Sequence, residues 1–252
     1  MSRSRVRVDE QPWGTLVDLC APEVRNALDR QAVTDLTAVF GRPGNGAIVL
    51  SGRGPVFCAG GDVSAMSAAS SGGDLAKLFA EAGEAFADLA EAIVGGPRPV
   101  VAAIQGAAVG GGISLALACD VRVAGRSARL VPGWGRWGLP PDGGASALLA
   151  SAVGPAAAAS FLIRGEELTT ASTLAPLLFD EVVDDDLVVK TAISIAEQIA
   201  ANPGAAAAKA VTAGLRLPLL RAQRGTELAA LRAAAEDPAV VAALSRGIGG
   251  KT

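Results

Sequence analysis

The most constraining feature of this sequence is an uninterrupted apolar stretch, residues 99–119, that contains no charged side chain. Its length suffices to cross a bilayer, and residues 106–110 match the small-residue spacing GxxxG. It is rich in alanine and glycine, however, and consecutive glycines at 110–112 interrupt it midway. A buried strand, a turn and a buried helix explain this pattern better than a membrane span. The stretch therefore predicts the interior of a soluble domain.

Along the chain, strand-like and helix-like segments alternate first, and helix-like segments dominate later. The predicted strands are an opening hairpin at 6–8 and 15–19, and buried strands at 47–51, 100–105 and 121–124. The predicted helices lie at 30–40, 75–93 (capped by Asp74), 113–119, 145–153, 155–164, 186–202 and 204–244. Residues 67–73, SAASSGG, predict a mobile loop beside a site. This order indicates an α/β core with a helical C-terminal part.

Composition excludes several functions. The net charge of −3 indicates no basic face for nucleic acid. The chain has no histidine, which excludes Ser-His-Asp and Cys-His sites and any histidine-ligated zinc site, so we expect no metal. Proton transfer must then fall to a carboxylate, a lysine, a cysteine or water. Three scattered cysteines and a basic N-terminus without an apolar segment predict a cytoplasmic protein without a secretory signal.

Two motifs resemble nucleotide-binding loops without the context that such loops need. Residues 133–138 match G-x-G-x-x-G, but Pro140 and Pro141 follow, and these cannot continue the helix that would face a pyrophosphate. The C-terminal residues 250–252 read Gly-Lys-Thr, but Ser245 stands where a P-loop needs its first glycine. We therefore interpret neither as a nucleotide site.

Two glycine-rich turns share one physical design. Residues 54–63 and 104–114 each place small residues after a predicted strand, so that backbone amides are accessible without a side chain in the way. A helix follows the second turn and adds its dipole, and Asp62 can cap the helix after the first. Two such donors converging on one oxygen make an oxyanion hole. Glycine-rich turns of this kind more often reflect tight packing alone.

Three segments, taken together, resemble the crotonase family, the enoyl-CoA hydratase/isomerase superfamily: residues 22–28 (PEVRNAL), 57–63 (FCAGGDV) and 99–120. The resemblance implies a spiral of ββα units over residues 1–195 and a helical trimerisation region over 196–252. It implies a homotrimer or a dimer of trimers that acts on an acyl-CoA thioester. Coenzyme A is carried by the substrate, so no separate cofactor, nucleic acid or membrane partner is expected.

The resemblance also implies site residues. The thioester carbonyl would accept hydrogen bonds from the backbone amides of Gly61 and Gly111. The substrate would contact residues of the same motifs, namely Arg25, Ala59, Gly61, Asp62, Val63, Gly111, Ser114 and Trp134. Arg25 lies in the segment that usually meets the nucleotide end, although Ala21 stands where the family has an arginine. Lys251 is a further candidate for a phosphate contact.

Both glutamates of the family's hydratases are absent, because Ser114 and Trp134 occupy their positions. Neither can serve as the base or the acid that hydration needs. Residues 139–144 resemble instead the L-x-P-D-x-G segment of the family's isomerases, in which one aspartate, here Asp142, moves a proton between the α- and γ-carbons. The competing interpretation is that Asp142 caps a helix starting near Gly143, which would lower its pKa.

Two further functions remain open. A chain without both glutamates can bind acyl-CoA without catalysis. Alternatively, Asp142 is a nucleophile of a hydrolase or dehalogenase, because the spacing of Trp134 and Asp142 resembles chlorobenzoyl-CoA dehalogenase. That enzyme also needs a histidine, which this chain lacks. Trp134 as pocket lining and Trp137 as packing are the simpler interpretations of the tryptophans.

Overall fold

The computed structural model describes residues 4–247, in which two sheets are surrounded by helices. The strands are β1 (Val6–Gln11), β2 (Gly14–Leu19), β3 (Ala47–Gly52), β4 (Val56–Cys58), β5 (Val100–Ile104), β6 (Ala107–Val109), β7 (Val121–Gly125), β8 (Arg129–Val131), β9 (Leu168–Thr169) and β10 (Glu181–Val183). The helices are α1 (Arg30–Gly41), α2 (Val63–Gly72), α3 (Leu75–Gly95), α4 (Gly111–Ala118), α5 (Ala145–Val153), α6 (Pro155–Arg164), α7 (Ala175–Leu178), α8 (Val188–Ala201), α9 (Ala205–Glu236) and α10 (Pro238–Ser245).

The larger sheet has six strands in the order β1, β2, β3, β5, β7, β10, and only the β1–β2 hairpin is antiparallel. Strands β3 and β5 are buried along their whole length because helices cover both faces, as the continuous apolar runs require. Ile48 and Leu50 face the main core, which includes α1, α3 and α4, whereas Ala47 and Val49 face α8. This arrangement confirms the predicted α/β class.

The smaller sheet positions the glycine-rich turns. It has the order β4, β6, β8, β9, and β4 and β6 run parallel. Because parallel strands end at the same edge of a sheet, the turns that follow β4 and β6 emerge side by side. The apolar stretch 99–119 forms β5 and α4, as predicted, and also the short strand β6, which was not predicted. Within residues 4–247, no helix has the length and apolar character needed to cross a membrane.

Helix α9 anchors the end of α4 that lies away from the turns. The ammonium of Lys209 is buried and donates to Ile93 O (2.8 Å) and to the carboxylate of Asp120 (2.7 Å). Arg216, two turns further along α9, donates to Leu117 O near the end of α4. Cations near a helix C-terminus stabilise it, and here they also fix the axis of α4.

Residues 67–73 and the Asp74 side chain differ in the structure from what their local sequence predicts. Residues 67–73 are not a loop, because 67–72 form most of α2, which packs against α3 and α10. Asp74 directly precedes α3 as predicted, but its side chain makes no capping hydrogen bond. The helical C-terminal part is present, and residue 195 falls inside α8.

Candidate active site

The two glycine-rich turns are in direct contact. Gly60 has φ +81°, and a methyl group on it would lie 2.6 Å from Val109 O and 2.9 Å from the amide nitrogen of Gly111. Real side-chain carbons do not approach so closely, and the left-handed backbone also favours glycine. Only glycine at position 60 therefore allows the backbone before Gly61 to lie against the first residue of α4.

The amides of Gly61 and Gly111 are held in place by their neighbours while remaining without an acceptor. Leu28 N donates to Gly60 O (2.8 Å), and Gly110 N donates to Val131 O (3.0 Å). Within residues 4–247, neither the Gly61 nor the Gly111 amide donates to another protein group. Gly111 is also buried and lies in the first turn of α4, where an amide has no partner in the helix itself. Two unused donors on adjacent turns are the feature that a candidate oxyanion site requires.

Asp62 connects the Gly61 turn to two helix starts. Its Oδ1 accepts hydrogen bonds from Ser64 N (3.0 Å) and Ala65 N (3.3 Å), which confirms it as the N-cap of α2. Its Oδ2 pairs with Arg5 Nη1 at 3.0 Å, and Arg5 Nε pairs with Asp29, the N-cap of α1, also at 3.0 Å. Arg5 therefore links the turn to the start of α1. No sequence motif pointed to Arg5, because its partners lie far away along the chain.

Asp142 lies beside the same turns. Trp134 Nε1 donates to Asp142 Oδ1 (2.8 Å), and the indole lies next to Gly110, where a methyl group would be 3.8 Å from Nε1. On the other side, the Phe86 ring lies against both Gly111 and Gly143, at 2.7 and 3.3 Å from the positions where methyl groups would stand. One indole and one phenyl ring therefore contact both the Asp142 segment and the turn before α4.

The backbone of Asp142 is fixed by Ser114. The buried Ser114 hydroxyl donates to Asp142 O at 2.7 Å. Ser114 and Trp134 thus both contact Asp142, one at its carbonyl and one at its carboxylate. The sequence predicted Trp134 as pocket lining, and the structure adds this direct contact with the candidate acid.

The competing interpretation, in which Asp142 caps a helix, is wrong. Gly143 and Gly144, with φ +62° and +82°, intervene before α5, and the N-cap position belongs to Gly144. Burial raises the pKa of Asp142 from 3.8 to about 6; the Trp134 hydrogen bond lowers it, and the charge of Glu227 raises it further. A capping aspartate would have a lowered pKa, so the direction of the shift is opposite to the one predicted.

Glu227 supplies the cap that Asp142 does not. From α9, its Oε2 accepts from Gly144 N (2.8 Å), and its Oε1 accepts from Ser146 N (3.1 Å) and Ser146 Oγ (2.5 Å). It is buried, and burial raises its pKa while these hydrogen bonds lower it. Sequence reasoning missed Glu227 because it lies in a long alanine-rich helix with no motif around it.

The remaining predicted residues have less specific surroundings. Arg25 is exposed, with φ +56°, and its carbonyl accepts from Ala59 N (3.0 Å); Val63 begins α2 next to Asp62.

Cys58 is fully buried, and burial raises the pKa of its thiol to about 12, as expected for a packing residue. Lys251 lies outside the described residues. Within residues 4–247, no cluster of acidic, cysteine or histidine side chains could hold a metal.

Residues 133–138 form no nucleotide loop. Gly133–Trp137 is one short 3-10 helix that ends at Gly138 with φ +69°, and α5 begins only at Ala145. The helix N-terminus that a pyrophosphate would need does not follow these glycines. Trp137 is half-buried against the α2, α3 and α10 cluster, which fits packing.

Comparison with known proteins identifies the family. The family model described as enoyl-CoA hydratase/isomerase matches residues 15–239. A "Probable enoyl-CoA hydratase" of Rhodobacter capsulatus is 36% identical over 224 residues, 87% of this chain and 85% of the relative. The "Probable enoyl-CoA hydratase echA6" of Mycobacterium bovis is 38% identical over 156 residues, 61% of this chain, and the match spans only 60% of that relative's length.

Solved structures agree with this assignment. An enoyl-CoA hydratase from Mycobacterium avium subsp. paratuberculosis K-10 superposes with a TM-score of 0.85 at 26% identity, covering 97% of this chain and 99% of that one. An enoyl-CoA hydratase from Bacillus halodurans gives 0.85 at 25% identity, with 96% and 99% covered. The predicted crotonase architecture is thereby confirmed. The chain belongs to the enoyl-CoA hydratase/isomerase family.

Proposed function

We propose that this protein isomerises the double bond of an enoyl-CoA thioester. The Gly61 and Gly111 amides bind the thioester oxygen, and Asp142 moves a proton between the α- and γ-carbons. The observation that carries this proposal is the pair of unused amides on touching turns, with the Asp142 carboxylate, whose pKa is raised, linked through Trp134 to the turn of Gly111. Coenzyme A arrives as part of the substrate, so the chemistry needs no other cofactor.

The proton balance follows from the thioester. Asp142, as carboxylate, removes the α-proton, and the electron pair moves into the carbonyl to give an enolate. The two amides stabilise the enolate oxygen, each by about 3–4 kcal/mol. The protonated Asp142 then returns its proton to the γ-carbon as the double bond shifts. A carboxyl pKa near 6 suits a group that must both accept and release the proton near neutral pH.

Hydration is less well supported by the same site. It needs one group that activates water and another that protonates the α-carbon. Ser114 donates its hydroxyl proton to a backbone carbonyl, and Trp134 is only a donor. Glu227 is a second carboxylate nearby, but its two oxygens already accept three hydrogen bonds.

A second candidate function uses Asp142 as a nucleophile. The hydrogen bond from Trp134 fixes one carboxylate oxygen at 2.8 Å and leaves the other to attack a substrate carbon. This arrangement favours a hydrolase or dehalogenase that forms a covalent aspartyl intermediate. The absence of histidine weighs against it, because water must later be activated to release the intermediate.

Assembly into homotrimers, or dimers of trimers, is part of the proposal. Val211, Leu215 and Leu219 lie four residues apart on α9 and are 74%, 71% and 48% exposed. An apolar stripe of this kind on one helix face is typical of a surface that another subunit covers. Together with the cytoplasmic location predicted from the sequence, this describes an oligomeric enzyme of acyl-CoA metabolism.

The test is exchange of the α-hydrogens of a bound acyl-CoA with deuterium from the solvent, followed by mass spectrometry. We expect the wild type to exchange and isomerise, and Asp142→Asn to bind with unchanged Kd but to do neither. Asp186→Asn, an exposed aspartate, is the matched control and keeps full activity. Wild-type exchange in Asp142→Asn contradicts the proposal. Binding without exchange in the wild type indicates an acyl-CoA-binding protein, and an aspartyl adduct indicates the nucleophile.

A further inference from the structure

Glu227 and Asp142 approach the same turn from segments that lie far apart in the chain. Asp142 precedes two glycines in left-handed conformation, and Glu227 binds the amide of the second, Gly144, at 2.8 Å. Glu227 is 6% exposed and makes two further hydrogen bonds to Ser146. A buried carboxylate is stable only when it is hydrogen-bonded in this way, so its place at the α5 N-terminus is specific.

This contact changes what Asp142 can do. An aspartate in a turn commonly accepts a hydrogen bond at its side chain from the backbone amide two residues further on. Here that amide, Gly144 N, is occupied by Glu227, while the Asp142 carbonyl is fixed by Ser114 and its carboxylate by Trp134. Among the described residues, Trp134 is the one side chain that donates a hydrogen bond to the Asp142 carboxylate. The described contacts of the Asp142 carboxylate are therefore with the indole of Trp134 and not with the amides of α5.

We propose that Glu227 is a positioning residue for Asp142, which takes over the cap of α5 and so leaves the Asp142 carboxylate free to exchange a proton with the substrate. The inference rests on the proposed function and goes beyond it, because it assigns a role to a residue on α9.

Glu227 also has an electrostatic effect on Asp142, in addition to its hydrogen bonds to α5. The negative charge of Glu227 opposes ionisation of Asp142, which adds to the effect of burial.

Other charged side chains also lie near Asp142 and Glu227. Arg224 on α9 and Glu91 on α3 line the same small cavity as Asp142 and Glu227. Arg224 is engaged by Glu84, Asp88 and Glu91 of α3, with contacts of 2.5, 2.8 and 3.0 Å, so its charge is balanced by carboxylates on that side. Glu227 is thus the charged group whose effect on Asp142 is least balanced by a nearby partner.

The test compares Glu227→Gln with Glu236→Gln, an exposed glutamate on the same helix. Glutamine keeps an oxygen for the α5 amides but removes the charge. We expect the acidic limb of the pH profile for α-hydrogen exchange to move down by about 0.5–1 pH unit in Glu227→Gln, because Asp142 ionises more easily. Glu236→Gln leaves it in place. If Glu227→Gln folds normally and the acidic limb of its pH profile stays where it is in the wild type, the inference is overturned.

A milder variant covers the case in which Glu227→Gln does not fold. Ser146→Ala keeps the Glu227 carboxylate and removes one of its donors, so we expect kcat to fall about threefold to tenfold with KM unchanged. Unchanged kcat contradicts the positioning role. Failure of the proposed function is distinguishable, because it is read from Asp142→Asn: full exchange in that variant rejects the reaction itself. If Asp142→Asn is inactive but the acidic limb of the pH profile does not move in Glu227→Gln, only the role of Glu227 is rejected.

Discussion

The indole nitrogen of Trp134 donates a hydrogen bond to Asp142 Oδ1 at 2.8 Å. The same indole lies beside Gly110, one residue before the unused amide of Gly111. Trp134 therefore contacts both the candidate acid and the turn that carries one of the two candidate oxyanion donors. In the proposed reaction, this contact holds the Asp142 carboxyl group in place.

Replacing Trp134 with phenylalanine removes that donor while keeping an aromatic ring. Because the hydrogen bond lowers the pKa of Asp142, its loss raises that pKa further above 6. We expect the acidic limb of the exchange profile to move up by about one pH unit. Trp137→Phe is the control, because Trp137 packs against the α2, α3 and α10 cluster instead. A Trp134→Phe profile that coincides with the wild type would contradict the assigned contact.

The raised pKa of Asp142 makes stability depend on pH in a defined direction. The pKa of Asp142 is about 6 in the folded protein, against an ordinary value of 3.8, so the folded state holds this proton more tightly than the unfolded state does. The resulting stabilisation is fully present below pH 3.8. It is lost as the pH rises from 3.8 through 6. We therefore expect Asp142→Asn to be more stable than the wild type by about 2–3 kcal/mol at pH 8, with the difference shrinking towards pH 4. Urea unfolding at both pH values measures it; a difference independent of pH would be inconsistent with a buried, titrating Asp142.

Gly60→Ala tests the contact between the two turns. The added methyl group would lie 2.6 Å from Val109 O and 2.9 Å from Gly111 N. We expect a loss of about 3 kcal/mol or more in the free energy of unfolding, together with loss of exchange, because the turns must separate. Gly73 is the matched control: its φ is also +81°, but nothing lies within 4 Å of the added methyl. Gly73→Ala should cost only about 1 kcal/mol and keep activity; equal effects of both variants would show that the turns tolerate separation.

Arg5→Met tests how the Gly61 turn is held. Without the cation, Asp62 and Asp29 lose their common partner, and the Gly61 amide is less well oriented. We expect α-hydrogen exchange to slow about tenfold. In infrared spectra, we also expect a smaller shift of the bound thioester carbonyl stretch. Arg7→Met is the control, because Arg7 is exposed and pairs with Asp9 in its own strand. A carbonyl stretch identical to that of the wild type would remove Arg5 from the oxyanion site.

Local patterns predicted the long helices and five strands of the larger sheet, but no strand of the smaller sheet, whose strands have only two or three residues. The hydrophobic spacing in residues 75–93 predicted α3, and the glycine break at 110–112 correctly placed a turn before α4. The same reasoning failed for residues 67–73, where serines and glycines indicated a loop. Packing of α2 against α10 outweighs that weak local preference, and Ser70 Oγ donates to Val241 O at 2.9 Å.

The site was predictable where its residues follow one another in the chain, and not where they meet across it. Asp142 was identified from its own segment. Glu227 was not identified, because it reaches Gly144 only through the packing of α9, and the competing interpretation of Asp142 as the cap of that helix is wrong for the same reason. Arg5 was missed for the same reason, since its partners Asp29 and Asp62 are brought to it by tertiary structure.

A crystal structure with a saturated acyl-CoA, which cannot be isomerised, tests the central claim most directly. We expect the thioester oxygen to lie about 2.7–3.1 Å from both Gly61 N and Gly111 N. We also expect an oxygen of Asp142 within about 3.5 Å of the α-carbon. A thioester oxygen bound by other groups, or an α-carbon out of reach of Asp142, would contradict the proposed reaction.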